Sequence, residues 1–235
     1  MLNRSELLHL PTRELLSPTR LFFGSNAVPY PFVPDAPKPA QWLSFLTSLF
    51  EDDDESIDTL QEWAGYCLTA DTSQQKMIMF VGPKRSGKGA IAKVLTAVLG
   101  QSNVVAPTFA SLNHRFGLQD LLNRSLAMIP DARLSQRNDQ AIIVERLLPI
   151  TGEDLQTADR KNKSSVTTRL LTRFMILTNE LPRLTDISGA FASRFVILSL
   201  WKSFYGKEDR TLCPVSGLAE LLLAFCPCRS QWTAR

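Results

Sequence analysis

Met77-Ile78-Met79-Phe80-Val81-Gly82-Pro83-Lys84-Arg85-Ser86-Gly87-Lys88-Gly89 is the stretch that decides how this chain is read. Five apolar residues run without interruption into a glycine, as in a strand buried on both faces of a parallel sheet. Gly82 to Lys88 then has the G-x4-G-K spacing of a phosphate-binding loop. Its glycines let the backbone curl until several N–H groups point at one anion. The helix that follows aims its positive end at the same place. That helix is expected over about 88–99, with Ile91, Val94, Leu95 and Val98 on one side and Gly100 ending it. Gly82, Pro83, Lys84, Arg85, Ser86, Gly87, Lys88, Gly89 and Ala90 are therefore read as the binding segment for ATP. Lys88 is expected to reach the β- and γ-phosphates. The residue after the lysine is normally Ser or Thr, whose hydroxyl binds Mg²⁺. Here Gly89 and Ala90 stand in its place, and that ligand is missing at both positions.

Working outward, three more apolar runs read as strands: Leu126-Ala127-Met128-Ile129, Arg173-Phe174-Met175-Ile176-Leu177 and Phe195-Val196-Ile197-Leu198. Strands alternating with helical or looped crossovers predict an α/β core with a central parallel sheet. The second strand leads into Pro130-Asp131, and an acid at a strand tip beside a phosphate loop can hold Mg²⁺ or its water. The third ends at Thr178-Asn179. That amide either orients the attacking water and senses the γ-phosphate, or caps a turn. Arg194, just before the fourth strand, reads either as a finger acting on a neighbouring subunit's phosphates or as a surface arginine. Arg160, Lys161 and Lys163 lie within Asp159–Ser165. They form either a loop that grips a nucleic-acid backbone or a solvated charge cluster. No arginine-rich acceptor lid follows the third strand, which argues against a small-molecule kinase.

Residues 1–38 contain Pro11, Pro18, Pro29, Pro31, Pro34 and Pro37, which break helices, and read as an extended Pro-rich arm. Residues 39–75 read as a small helical subdomain, 76–210 as the ATPase core and 211–235 as an atypical tail. Trp42, Phe45, Leu46, Leu49 and Phe50 recur at spacings of three and four, and Ile57, Leu60, Trp63, Ala64 and Cys67 form a second apolar face. The chain has 235 residues, 44% apolar and 21% charged, with a formal net charge of +3. Disorder throughout is excluded by the apolar content. The net charge is too small to argue for nucleic acid by itself, so any basic surface depends on local placement. No stretch approaches the roughly 20 apolar residues of a membrane span. The N-terminus lacks a signal-peptide core. A cytoplasmic protein without membrane partners is expected. Its 4 cysteines form no Cys-x-x-Cys pair and are read as reduced thiols.

These pieces, in this order, resemble the superfamily 3 helicases, and more narrowly the C-terminal helicase domain of phage- and plasmid-type primases. The resemblance rests on Val81–Gly89, on Ile150-Thr151-Gly152-Glu153-Asp154 with Asp159-Arg160-Lys161, and on Leu177–Pro182. It continues through Gly189–Phe195 and Ser203–Asp209. It implies an AAA+-like P-loop NTPase core assembled into a hexameric ring. ATP would lie between subunits, with Lys88, Asp131 and Asn179 from one and Arg194 from the next. It also implies that Arg160, Lys161 and Lys163 form a hairpin that contacts single-stranded DNA during replication. An upstream primase domain or other replication proteins would be partners.

The chain departs from this pattern at Ala90, where relatives commonly carry Thr. It has the single acid Asp131 where many have two, leaving Glu153 and Asp154 as unplaced candidates for the water-activating base. Nothing upstream has room for a primase domain, and the family-like sequence stops at Asp209. These departures suggest an alternative, a truncated or frame-shifted remnant that binds nucleotide or DNA without motor activity.

Overall fold

The computed structural model describes residues 2–3, 6–10, 12–20, 27–51, 53–130, 143–180, 192–206 and 218–225. The chain divides into two compact units. The first comprises Met1–Thr69, Ala90–Gln101 and Asp209–Arg235; the second comprises Ala70–Gly89 and Ser102–Glu208.

In the first unit, β1 (Leu2–Asn3), β2 (Leu7–His9), β3 (Glu14–Leu16) and β4 (Ala27–Val28) pair in the order β3-β2-β1-β4. In the segment expected as an extended arm, strands of two or three residues pair with one another. Two helices follow. α1 (Ala40–Phe50) buries Trp42, Phe45, Leu46, Leu49 and Phe50, one face at helical spacing. α2 (Asp54–Leu68) starts at Asp53, whose carboxylate accepts from Ser56 N at 3.0 Å and Ser56 Oγ at 2.7 Å. Those two hydrogen bonds hold the Asp53 carboxyl below its ordinary pKa of 3.8. α2 packs against α1, and Leu60, Trp63 and Cys67 are fully buried.

The segment expected as an atypical tail contributes to this same unit. A short helix at Leu218–Phe225 packs on α2, and Phe225 meets Trp42 edge-on at 5.8 Å. Burying one phenylalanine is worth roughly 1.5–3 kcal/mol. The cysteines at 213, 226 and 228 lie outside the described residues.

The second unit is built on five parallel strands: β5 (Met77–Val81), β6 (Val104–Val105), β7 (Leu126–Ile129), β10 (Arg173–Thr178) and β11 (Phe195–Ser199). Their order across the sheet is β11-β5-β10-β7-β6. The α/β parallel-sheet expectation therefore holds. β5, β7 and β10 lie inside the sheet, which is why they read as unbroken apolar runs. Met77 and Met79, Ala127 and Ile129, and Phe174 and Ile176 share one face by register. They pack there with Phe109, Leu112, Leu118, Leu121, Leu147 and Ile150. Phe109 and Leu112 come from α4 (Phe109–Asn113), and Leu147 from a π-helical turn, Ile143–Leu147. Ile150 comes from the α5 turn that follows it, Leu148–Thr151. The antiparallel hairpin β8 (Leu155–Arg160) and β9 (Lys163–Arg169) is pinned to this core by Ala158.

Candidate nucleotide site and nucleic-acid hairpin

β5 delivers the chain to Gly82 at the C-terminal edge of the sheet, and α3 (Lys88–Leu99) leaves it at Lys88. Between them the loop turns through two left-handed residues, Arg85 at φ 59° and Gly87 at φ 92°. Lys88 Nζ is folded over the loop and donates to Gly82 O at 2.6 Å, Pro83 O at 2.8 Å and Ser86 Oγ at 3.2 Å. The ammonium group therefore stands inside the curve of the backbone, where an anion would be bound.

The loop opens on a pocket of about 310 Å³ lined by residues 84–89 with Leu177 and Asn179. That volume is at the lower end for small-molecule sites. Three cations (Lys84, Arg85 and Lys88) belong to the lining, and no carboxylate does among the described residues. Asn179 reaches the pocket because β10 is hydrogen-bonded directly to β5, with Thr178 beside Val81. Gly82 N donates to Thr178 O at 3.3 Å, closing the two strand ends together.

The segment after β11 braces the loop from its other side. Leu200 N donates to Val81 O at 2.7 Å, Ser203 Oγ to Lys84 O at 3.0 Å and Phe204 N to Arg85 O at 2.9 Å. The Arg85 guanidinium lies over the Tyr205 ring, 5.1 Å from its centroid. Tyr205 is 77% exposed. Ser203–Asp209 belongs to the family-like stretches of the sequence, where no role attaches to it. The available signal was a run of aromatics, Trp201, Phe204 and Tyr205, directly after the last strand.

A divalent ion is poorly served by the lining described. Its side-chain oxygens are the Asn179 amide and the Ser86 hydroxyl, and Ser86 is 1% exposed and bonded to Lys88. No cluster of three or more His, Cys, Asp or Glu that could hold a metal occurs among the described residues. Asp131, the expected magnesium ligand, lies outside them. Room is not the obstacle to a hydroxyl after Lys88, because a Cβ built on Gly89 meets nothing within 4 Å.

Arg194 is far from this pocket within its own chain. It directly precedes β11, whose Phe195 pairs with Met77 and whose Ser199 pairs with Val81. At about 3.3 Å per residue, the start of β11 lies on the order of 13 Å from the loop end of the sheet. There Arg194 donates to Gln75 Oε1 and Thr151 O. Glu153 is at that end too, accepting from Thr72 Oγ1 at 2.5 Å, with Gln75 Nε2 bonded to the neighbouring Gly152 O. Glu153 and the adjoining Asp154 thus lie at the end of the sheet away from Lys88.

The basic residues sit at the tip of the hairpin. Lys161 and Asn162 make the turn, with Asn162 left-handed at φ 59°. Arg160 Nε donates to Ser164 O at 2.8 Å, and the Lys161 backbone N–H to Gln119 Oε1 at 2.7 Å. Asp159, the acid beside them, is paired with Arg115 at 2.9 Å. Lys161 and Lys163 are exposed.

The fold has relatives among solved structures. Apo structures of the C-terminal region of NrS-1 superpose with TM-scores of 0.67 at 16% identity and 0.62 at 18% identity. The first match covers 87% of this chain and 50% of that one; the second covers 84% and 48%. The chain thus spans about half the length of the solved structures it matches, and at this identity the likeness is one of fold. Residues 80–194, a little under half of the chain, match the model of a family of unknown function, DUF5906. That match runs from the end of β5 to Arg194 and so includes the loop, Asn179 and the hairpin. Among the described residues no helix is long and apolar enough to cross a membrane.

Proposed function

We propose that the chain is the ATP-hydrolysing motor of a superfamily 3 DNA helicase, of the kind that forms part of phage and plasmid primase–helicases. In this reading it has an AAA+-like P-loop core and works on single-stranded DNA as a hexameric ring. The observation that carries the reading is the split between the two ends of the sheet. The loop, Lys88 and Asn179 converge on one pocket at the C-terminal ends of adjacent strands. Arg194 stands at the opposite end, out of reach of that pocket. An arginine so placed suits a phosphate on the neighbouring copy in a head-to-tail ring. Similarity to the C-terminal region of NrS-1 supports the same core architecture.

In this mechanism the triphosphate displaces Lys88 from Gly82 O and Pro83 O. The amine then neutralises charge on the transferring phosphoryl group, which is where this chemistry most needs stabilisation. Asn179 orients the attacking water and registers the γ-phosphate. Arg194 of the adjoining copy stabilises the charge that develops on phosphoryl transfer. Asp131 is the proposed acid for the nucleotide's Mg²⁺, held through water. Arg160, Lys161 and Lys163 grip the DNA backbone and are carried along it as the sites turn over. The proposed partners are an upstream primase domain or other replication proteins.

The test is ATP hydrolysis by the purified chain, with and without single-stranded DNA, beside Lys88→Ala. Turnover stimulated by DNA and abolished in the variant is expected. Gly89 and Ala90 favour a second reading, a remnant that binds nucleotide or DNA without motor work. A folded, nucleotide-bound chain with no turnover would establish it and end the motor proposal.

A further inference from the structure

The loop lacks the usual hydroxyl after its lysine and is rich in positive charge. In loops of this spacing a hydroxyl after the lysine binds Mg²⁺, and the ion bridges the phosphates. This chain has no hydroxyl there, although Gly89 leaves space for one. Its pocket instead collects Lys84, Arg85 and Lys88. Arg85 in particular is held in a built position. Its backbone is in the left-handed region, its carbonyl accepts from Phe204 N and its guanidinium lies over the Tyr205 ring. A guanidinium presents a planar fork of donors that matches phosphate oxygens two at a time. A cation held over a ring face is restrained there by its attraction to the ring, while the edges of the fork stay available.

Resting on the reading of this loop as a nucleoside triphosphate site, we infer that Arg85 is a second phosphate-binding cation and that Tyr205 is the positioning residue that orients it. Together they let the loop hold a triphosphate with little dependence on a divalent ion. The substrate class is a polyphosphate nucleotide, bound through its β- and γ-phosphates. A nucleoside monophosphate offers too little charge to use all three cations.

The experiment measures affinity for a fluorescent ATP analogue in excess Mg²⁺ and in excess chelator. It compares the unaltered chain with Arg85→Gln, Tyr205→Leu, Tyr205→Phe and Lys88→Ala. The unaltered chain is expected to lose no more than about threefold on removing Mg²⁺. Arg85→Gln should lose roughly tenfold in chelator and clearly less in Mg²⁺, because an ion can then replace part of the missing charge. Tyr205→Leu should shift in the same direction by a smaller factor, and Tyr205→Phe, which keeps the ring, should restore affinity. If the unaltered chain binds only with Mg²⁺, or Arg85→Gln binds as well as it in chelator, the inference is overturned while the nucleotide site stands. If the unaltered chain does not bind under either condition, or Lys88→Ala binds normally, the nucleotide reading itself fails.

Discussion

Gly82 sits where the chain leaves β5, with Leu200 pressed against it. A Cβ at this position would lie 2.3 Å from Leu200 O and 3.0 Å from Leu200 Cβ. The first contact is with backbone, so it cannot be relieved by rotating a side chain. Gly82→Ala must push the segment after β11 away from the loop. A cost of about 1–3 kcal/mol is expected, by the scale of overpacked cores. Thermal unfolding would register it as a fall of roughly 2–4 °C per kcal/mol, and an unchanged Tm would show that Leu200 yields freely. At this scale the sequence was informative where chemistry and spacing are local. Lys88 follows Gly82 by six positions, and Asn179 follows an apolar run. It was silent where contacts are distant: Ser203 and Lys84 are bonded across 119 positions. Nothing in the spacing of Arg85 or Tyr205 announces that they meet.

The elements were legible in proportion to how much apolar surface each buries. β5, β7, β10 and β11 were found as runs, whereas β6, with two residues, has no pattern to find. The strands of the hairpin are polar because only Ala158 on β8 and none of β9 is fully buried, so no alternation marks them. The basic tip was visible but its strands were not. If that tip grips DNA as proposed, Lys161→Ala with Lys163→Ala should weaken single-stranded DNA binding. It should also flatten log K against log salt by about 1.4, two contacts at roughly 0.7 each. Intact affinity and slope would remove the hairpin from the DNA path. α2 offers a cleaner test of an element end. Because its hydrogen bonds lower the Asp53 pKa in the folded chain, the cap's contribution is present above the ordinary pKa of 3.8 and fades as pH falls through the lowered value. Asp53→Ala should cost about 1 kcal/mol at neutral pH. The Tm gap between the two proteins should close at pH values below the ordinary carboxylate range. A gap that persists in acid would assign the stabilisation to the helix start by some other means.

At the scale of the whole molecule, the sequence does not announce how the chain is shared between the two units. The first unit draws on both ends of the chain and on a stretch after the loop, a division set by tertiary packing rather than by any local signal. The proposed ring makes a prediction that no single copy can test. Lys88→Ala and Arg194→Ala should each abolish hydrolysis alone. Mixed in equal amounts, they should recover activity, because about a quarter of randomly formed interfaces then join an intact lysine to an intact arginine. No recovery after verified subunit exchange would place Arg194 outside the neighbour's site. β11 has a particular bearing on such a ring. One short strand begins just after Arg194, which would face one nucleotide, and runs into Leu200–Tyr205, which braces the loop around another. All five of its residues are in register with β5, and a slip by one would turn Leu198, its one buried side chain, outward. In the proposed ring it would act as a connecting rod of fixed length between two fuel sites. A tug at one would be felt at the next, so that an event in one copy would reach its neighbour through a single stiff part.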